Sequence, residues 1–433
     1  MSLTSFVLIG ALFSLLGIGM WIGLALLLVG ILGMVLFTNA PTGLVMLTTI
    51  WGSSTSWTLT ALPLFIWMGE ILFRSRLSED LFSGLAPWMS RIPGRLLHVN
   101  IIGCAVFAAV CGSSAATSAA VGKFSLPELK QQGYDESLSI GTLAGSGTFG
   151  LMIPPSIMLI VYGVAAEVSI AKLFVAGALP GLMLVILFMG YVIIRAKLRP
   201  SEIPDDTYEH LPFVEKLERS RLLIPLMVLI FCVIGSIYSG IATATEAAAV
   251  GVVGALILAV ISGGFTFSVF VDSLKGAMIT SCMITFILAC AAFLANALGF
   301  TGLPAALAGA IGSLELSPAA LLVALTVFYI LLGCFLDGIS IVVLTTSIIM
   351  PLIQAYNIDL IWFGIYIVLV SEMGQITPPV GFNLFVLQSM TGRDLLSVAR
   401  STMPFFFLLV LALVIIAIFP QIATFLPARM SAH

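Results

Sequence analysis

The chain has 433 residues, 60% of them hydrophobic and only 9% charged, with a formal net charge of −3 and a mean hydropathy of +1.20. Soluble domains carry roughly 25% charged residues, so most of this surface does not face water and a soluble enzyme is excluded. No basic run with interleaved aromatics points to nucleic acid; the six cysteines (Cys104, Cys111, Cys232, Cys282, Cys290, Cys334) lack a CxxC pair, and only His98, His210 and His433 supply imidazole, which argues against zinc or a disulfide framework.

Apolar stretches recur along the whole chain at the length of about 17 to 25 residues that crosses a bilayer. The first, residues 6 to 37, has no basic flank before it and no small-residue cleavage pattern after it, and reads as mature structure rather than a signal peptide. Spans are predicted near residues 4 to 17, 19 to 37, 58 to 73, 170 to 194, 222 to 238, 246 to 262, 276 to 296 and 402 to 420. Arginine and lysine mark the cytoplasmic side: Arg74, Arg76, Arg91, Arg95, Lys123, Lys130, the stretch from Arg195 to Arg221, Lys275, Arg393 and Arg400. The intervals 38 to 57, 239 to 245 and 297 to 317 contain neither residue and lie opposite, which makes the N-terminus periplasmic; Lys172 and Arg429 fall outside the scheme. Residues 78 to 90 read as an amphipathic helix on the cytoplasmic face, and Trp51, Trp57, Trp88 and Trp362 as interfacial anchors.

Two segments do not read as simple spans. Residues 97 to 125 are apolar, yet basic on both flanks, with a Gly-Ser-Ser turn in the middle; residues 318 to 350 repeat the idea from the other side around Gly333 and Asp337-Gly338. Both read as re-entrant helical hairpins, with a long kinked helix as the alternative.

The chain also matches itself at an offset of 224: Pro127 meets Pro351, Asp135 meets Asp359, Gly150 meets Gly374, and Pro154-Pro155 meets Pro378-Pro379. The basic flanks put corresponding elements on opposite sides, so the expected fold is an all-α polytopic membrane protein built from two inverted repeats. The first repeat covers residues 1–196, with a hairpin at 97–125 and a broken helix at 136–167. The second covers 222–427, with a hairpin at 318–350 and a broken helix at 360–391, and residues 197–221 form a cytoplasmic connector.

Each broken helix is interrupted by adjacent prolines, in AGSGTFGLMIPPS from Ala144 and SEMGQITPPVGFN from Ser371. Proline removes a backbone donor, and the carbonyls it frees are tolerated at membrane depth where they line an enclosed cavity or hold an ion. The hairpin turns add Gly112, Ser113, Ser114 and Thr117, and Gly333, Asp337, Gly338 and Ser340. Neutral hydroxyl and carbonyl oxygens suit sodium, so one Na+ is expected at each hairpin and broken-helix pair, with half-helix dipoles facing an anionic substrate. Small residues at these turns also serve close helix packing. Asp337 and Glu372 are acidic at membrane depth, where cation contact, proton relay and a buried hydrogen bond are competing readings. Glu246 reads as a residue of a helix N-terminus and Glu70 as a scaffold contact. No phosphate loop, nucleotide motif or Ser/His/Asp group suggests an enzyme or ATP hydrolysis.

The sequence resembles the large membrane subunit of TRAP (tripartite ATP-independent periplasmic) transporters over essentially its whole length. The motifs are CGSSAATSAAVG from Cys111, LPEL then GYD between Leu126 and Asp135, GTFGLMIPPS from Gly147, GIATATEAAAVG from Gly240 and GQITPPVGFNLFV from Gly374. The resemblance implies an elevator-type transport domain of hairpins and broken helices, carried by a scaffold of the remaining spans in a bacterial inner membrane. It implies sodium contacts at Gly112, Ser113, Ser114, Gly150, Ile153 and Pro154, and at Gly333, Gly374, Thr377 and Val380, where Asp337 is a further candidate. Ser114, Thr117, Thr148, Ser340 and Asn383 are the candidate substrate contacts. A small four-span membrane subunit and a soluble periplasmic substrate-binding protein are implied partners; no four-span segment precedes the first span, so the small subunit is expected on a separate chain. The expected activity is binding-protein-dependent, sodium-coupled import of a small organic anion such as a dicarboxylate or sugar acid. A stand-alone sodium/anion elevator symporter is the alternative.

Overall fold

The computed structural model describes residues 3–75, 77–204, 212–221, 223–302, 309 and 316–430, and among these every regular element is helical. The first helices are α1 (Leu3–Gly17), α2 (Ile22–Phe37), α3 (Thr42–Ser54), α4 (Ala61–Arg74) and α5 (Leu77–Met89). They lead into α6 (Leu97–Cys111), α7 (Ser114–Gln131), α8 (Glu136–Gly147), α9 (Phe149–Met152), α10 (Ile157–Ala165) and α11 (Ile170–Leu198). After α12 (Phe213–Ser220) come α13 (Ile224–Tyr238), α14 (Ala244–Ile261) and α15 (Phe267–Thr301). The chain ends with α16 (Pro318–Gly333), α17 (Gly338–Ala355), α18 (Leu360–Gln375), α19 (Phe382–Thr391), α20 (Leu395–Ile418) and α21 (Gln421–Met430). Arg76, His210 and His433, part of the connector and most of the interval 303 to 315 lie outside the described residues.

Five stretches have the length and apolarity of membrane spans: 136–165, 170–198, 244–261, 267–301 and 395–418, or up to eight stretches if bent pairs are counted as one span each. Large apolar side chains such as Ile186, Phe231, Val250, Ile279 and Phe407 project outward from several of these helices, as lipid-facing residues do. The chain is an all-α polytopic membrane protein.

Helix lengths separate spans from hairpins. The 15 residues of α6 reach about 22 Å at 1.5 Å per residue, short of the roughly 30 Å hydrocarbon core. The chain then turns at Gly112, whose φ of 62° suits a residue without Cβ, and α7 returns beside α6, with Gly103 close to Val121. The second hairpin turns between Gly333 and Gly338, and its arms are joined by a 3.0 Å hydrogen bond between Tyr329 Oη and Thr345 Oγ1. Pro351 cannot donate to the carbonyl four residues earlier, and α17 bends by 67° there, between Thr346 and Ile348.

The offset of 224 governs the elements themselves. Helix α7 spans 114–131 and α17 spans 338–355; Asp135 caps α8 through the Leu138 N–H at 2.7 Å and Asp359 caps α18 through the Trp362 N–H at 2.8 Å. Pro180 in α11 corresponds in the same way to Pro404 in α20. The two broken helices lie antiparallel. The start of the first meets the chain just after the second, where Arg393 forks onto Glu136, and the end of the first meets the start of the second, where Tyr162 Oη donates to Leu360 O at 2.7 Å.

Helices α2, α3, α4, α13, α14 and α15 pack together, and α4 also meets the first hairpin, where Gly69 lies against the main chain of Cys111. Gly23 and Gly30 of α2 sit under the rings of Phe286 and Phe293 of α15; a Cβ at either glycine would come within 2.7 Å of the ring. Thr243 and Glu246 form a reciprocal capping box at the start of α14, and Glu70 pairs with Arg74 at 2.9 Å beside Gly276 of α15, as the sequence reading anticipates for both acids.

Three expectations change. The interval 38 to 57, read as a connection, contains α3, bent by 51° against the following stretch. The span expected at 276 to 296 is part of a 35-residue helix of about 52 Å, longer than the bilayer core. Trp362 is not an interfacial anchor: it is 5% exposed and its Nε1 donates to Ile416 O at 3.0 Å, holding α18 against α20.

Candidate functional site

Each hairpin tip meets the break of the broken helix in its own repeat. At the first crossing, Ser113 caps α7, and Gly112 O accepts from the Ile157 N–H at 3.3 Å. Gly150 lies so close to the tip that a Cβ there would fall 2.5 Å from Ser113 C and O and 2.6 Å from Ser114 N. Pro154 and Pro155 carry no N–H, so Gly150 O and Leu151 O lose their helical donors; Ser156 Oγ takes over Leu151 O. Side-chain atoms of Ile153 and Pro154 press on Gly181 and Gly177 of α11, where Cβ atoms would come within 2.9 and 3.2 Å of them. The structure therefore gathers Gly112, Ser113, Ser114 and Gly150 around the tip and seats Ile153 and Pro154 against α11.

At the second crossing, the backbones of Gly333 and Gly374 touch: a Cβ on Gly374 would stand 2.6 Å from Gly333 Cα. Cys334 O accepts from the Gly381 N–H at 3.1 Å, and Cys334 Sγ donates to Pro378 O at 3.3 Å. Gly381, with φ of 55°, sits over a cradle of main-chain oxygens: a Cβ there would be 2.9 Å from Thr377 O and 3.0 Å from Gln375 O. Thr377 Oγ1 donates back to Met373 O, and Val380 leads into Gly381. Asp337 caps α17: it accepts from Ile339 N–H at 3.2 Å, from Ser340 N–H at 3.3 Å and from Ser340 Oγ. Its carboxylate and the Ser340 hydroxyl are thus engaged with each other at the helix start.

The remaining candidate contacts divide by hydrogen bonding. Thr148 Oγ1 donates back to Gly145 O of α8 at 2.6 Å. Ser114 Oγ donates to Glu372 Oε1, across the two repeats. Thr117 Oγ1 and both amide atoms of Asn383 are buried with no partner. These two residues belong to adjacent helices, for Gly122 of α7 packs on Met390 of α19, and both lie in the first turn of their helix. Buried polar atoms need partners, so Thr117 and Asn383 are the side chains open to a ligand.

A family model described as "Tripartite ATP-independent periplasmic transporter, DctM component" matches residues 9–422. The chain belongs to that family. A C4-dicarboxylate TRAP transporter large permease of Pseudomonas aeruginosa is 32% identical over 378 residues, covering 87% of both chains. An ectoine TRAP transporter large permease of Halomonas elongata is 33% identical over 371 residues, covering 85% of this chain and 86% of its own. The crystal structure of the Alcanivorax borkumensis YdaH transporter shares the fold, with a TM-score of 0.66 and 13% identity over 95% of this chain and 97% of that one.

Sequence reasoning missed part of this TRAP permease's polar centre. Gln375 is buried, its Nε2 has no partner, and it presses on Gly338 at the second tip. Its counterpart in the first repeat is the apolar Leu151, so comparing the repeats would have flagged it. Ser118, Ser146 and Ser371 are likewise buried and unpartnered. Among the described residues no three His, Cys, Asp or Glu side chains gather as metal ligands; the donors at both crossings are carbonyls and hydroxyls, a set that suits a hard monovalent cation. A separate cavity of about 1030 Å³ lies between α3, α15 and the α10–α11 link and includes none of these residues.

Proposed function

We propose that the chain is the translocating permease of a sodium-coupled TRAP system that imports a small organic anion across a bacterial inner membrane. The observation that carries the reading is the pair of proline-broken helices lying antiparallel, each with main-chain oxygens freed beside a hairpin tip. One Na+ at each crossing uses those oxygens: Gly112, Ser113, Ser114, Gly150, Ile153 and Pro154 at the first, and Gly333, Gly374, Thr377 and Val380 at the second. Asp337 acts there through the helix it caps. Thr117 and Asn383 hold the anion, with Ser114, Thr148 and Ser340 around them.

The repeats run over 1–196 and 222–427. Helices α6 to α10 and α16 to α19 move as the transport body of an elevator, against a scaffold that includes α2, α4, α14 and α15. A small four-span subunit on another chain and a periplasmic binding protein complete the system, and the binding protein selects the cargo. The relatives named for C4-dicarboxylates and ectoine support a small organic solute.

Proteoliposome uptake tests the reading. Accumulation is expected only with an inward sodium gradient and a cognate binding protein. Uptake that ignores sodium defeats the proposal, and sodium-driven uptake without any binding protein selects the stand-alone symporter instead.

A further inference from the structure

Among the described residues Glu372 is the only Asp or Glu that is buried, at 1% exposure. It stands on α18, two residues before the Gly374 that presses on Gly333, yet its carboxyl group reaches the other crossing. Ser114 Oγ donates to Glu372 Oε1, and the backbone N–H of Leu151 also faces the carboxyl group. Ser114 and Leu151 each adjoin the close approach of Ser113 to Gly150.

A serine hydroxyl has one proton and two lone pairs. While the proton points at Glu372, the lone pairs point elsewhere and the oxygen serves only as an acceptor. Without that acceptor the proton is free to rotate toward a carbonyl or into the cradle, where it opposes a cation. Mutating a partner that orients a metal ligand in this way typically costs about 10- to 100-fold in metal affinity.

We infer that Glu372 is a positioning residue for the first ion site, accepting the hydrogen bond of the Ser114 hydroxyl so that the Ser114 oxygen faces a sodium ion held with Gly112, Ser113 and Gly150. This rests on the sodium-coupled reading above. It assigns a task in the first repeat's site to a residue of the second repeat.

The test is a sodium titration of the purified full chain, read as thermal stabilisation at constant ionic strength, beside sodium-dependent uptake in the reconstituted system. Glu372→Gln keeps a weaker acceptor and is expected to raise the half-saturating sodium concentration roughly tenfold, with a much smaller fall in maximal rate; Glu372→Leu raises it further. Ser114→Ala has a comparable effect, and the Ser114→Ala, Glu372→Gln double variant is no worse than Ser114→Ala alone. If the Leu variant does not fold, the Gln and Ser114 variants decide. A loss of stability or maximal rate with unchanged sodium dependence, or two shifts that multiply in the double variant, overturns the assignment. A wild-type chain indifferent to sodium brings down the coupling reading together with it, whereas a sodium-dependent wild type with unshifted variants brings down the assignment alone.

Discussion

At the first crossing Gly150 presses on the main chain of Ser113, the cap of α7, whereas at the second Gly374 presses on Gly333, four residues before the cap of α17. The caps differ as well, a neutral hydroxyl at Ser113 and a carboxylate at Asp337. The prolines and their spacing are shared, so the broken helices are opened at the same place. What differs is how far each hairpin tip slides past its break, and that is set by where the hairpin offers a residue small enough to touch. Two crossings related by a repeat are therefore two different cradles, and exchanging their features is the way to probe them.

The largest effect is expected from Gly150→Ala and Gly374→Ala. Each new methyl would lie within about 2.6 Å of backbone atoms that cannot rotate away. Overpacking of this kind costs roughly 1 to 3 kcal/mol, and sodium-driven uptake should fall to background in both variants. Normal uptake by either one would show that its crossing is looser than the close contact implies.

Exchanging the caps sharpens the comparison. Asp337→Ala should lower stability by roughly 1 kcal/mol, as loss of a cap does, while Asp337→Ser, which imports the first crossing's arrangement, should be nearly neutral in thermal melts. If Asp337→Ser melts normally yet loses its sodium response, the carboxylate serves the ion directly and the two crossings differ in charge as well as shape.

Thr117→Ala and Asn383→Ala should each raise the substrate KM, by about tenfold for a hydrogen bond to a charged group, and leave the half-saturating sodium concentration in place. Thr148→Ala should change KM less, because its hydroxyl is engaged with Gly145 O. Equal effects from all three would mean that the unpartnered side chains are not special.

The smallest effect belongs to Glu136 and Arg393, at the start of α8. Arg393 forks onto the Glu136 carboxyl there. The melting difference between wild type and Glu136→Gln should be small at neutral pH, since the pair is exposed, and should vanish once acid protonates the carboxyl. A difference that persists in acid would assign the effect to packing.

Much of this was legible in the residues. The Asp135 and Asp359 caps, the paired prolines and the Gly-Ser-Ser turn act through their immediate neighbours, so their spacing alone located both broken helices and both hairpins. Helix α3 escaped because 38 to 57 was judged by its missing charges, although Thr42 to Ser54 contains nothing that stops a helix. The length of α15 escapes for a related reason: no proline interrupts 267–301, and Lys275, which reads as a boundary in the sequence, is an exposed charge within the helix. The cost of Asp337 at membrane depth is visible in the sequence; its use as the cap of α17 is not. The bridge from Glu372 to Ser114 spans 258 positions and depends on the two repeats packing antiparallel, which no local pattern encodes.

The freed oxygens at both breaks belong to the main chain, and this has an evolutionary consequence. Replacing a side chain there, short of adding a methyl to a touching glycine or restoring a proline's N–H, leaves those oxygens in place, whereas the Ser114 hydroxyl and its Glu372 partner are open to substitution. The unpartnered groups at Thr117 and Asn383 are ordinary side chains. Under the proposed function, a lineage can thus retune how the permease receives the cargo its binding protein delivers, while most of the oxygens offered to sodium stay fixed in the covalent backbone.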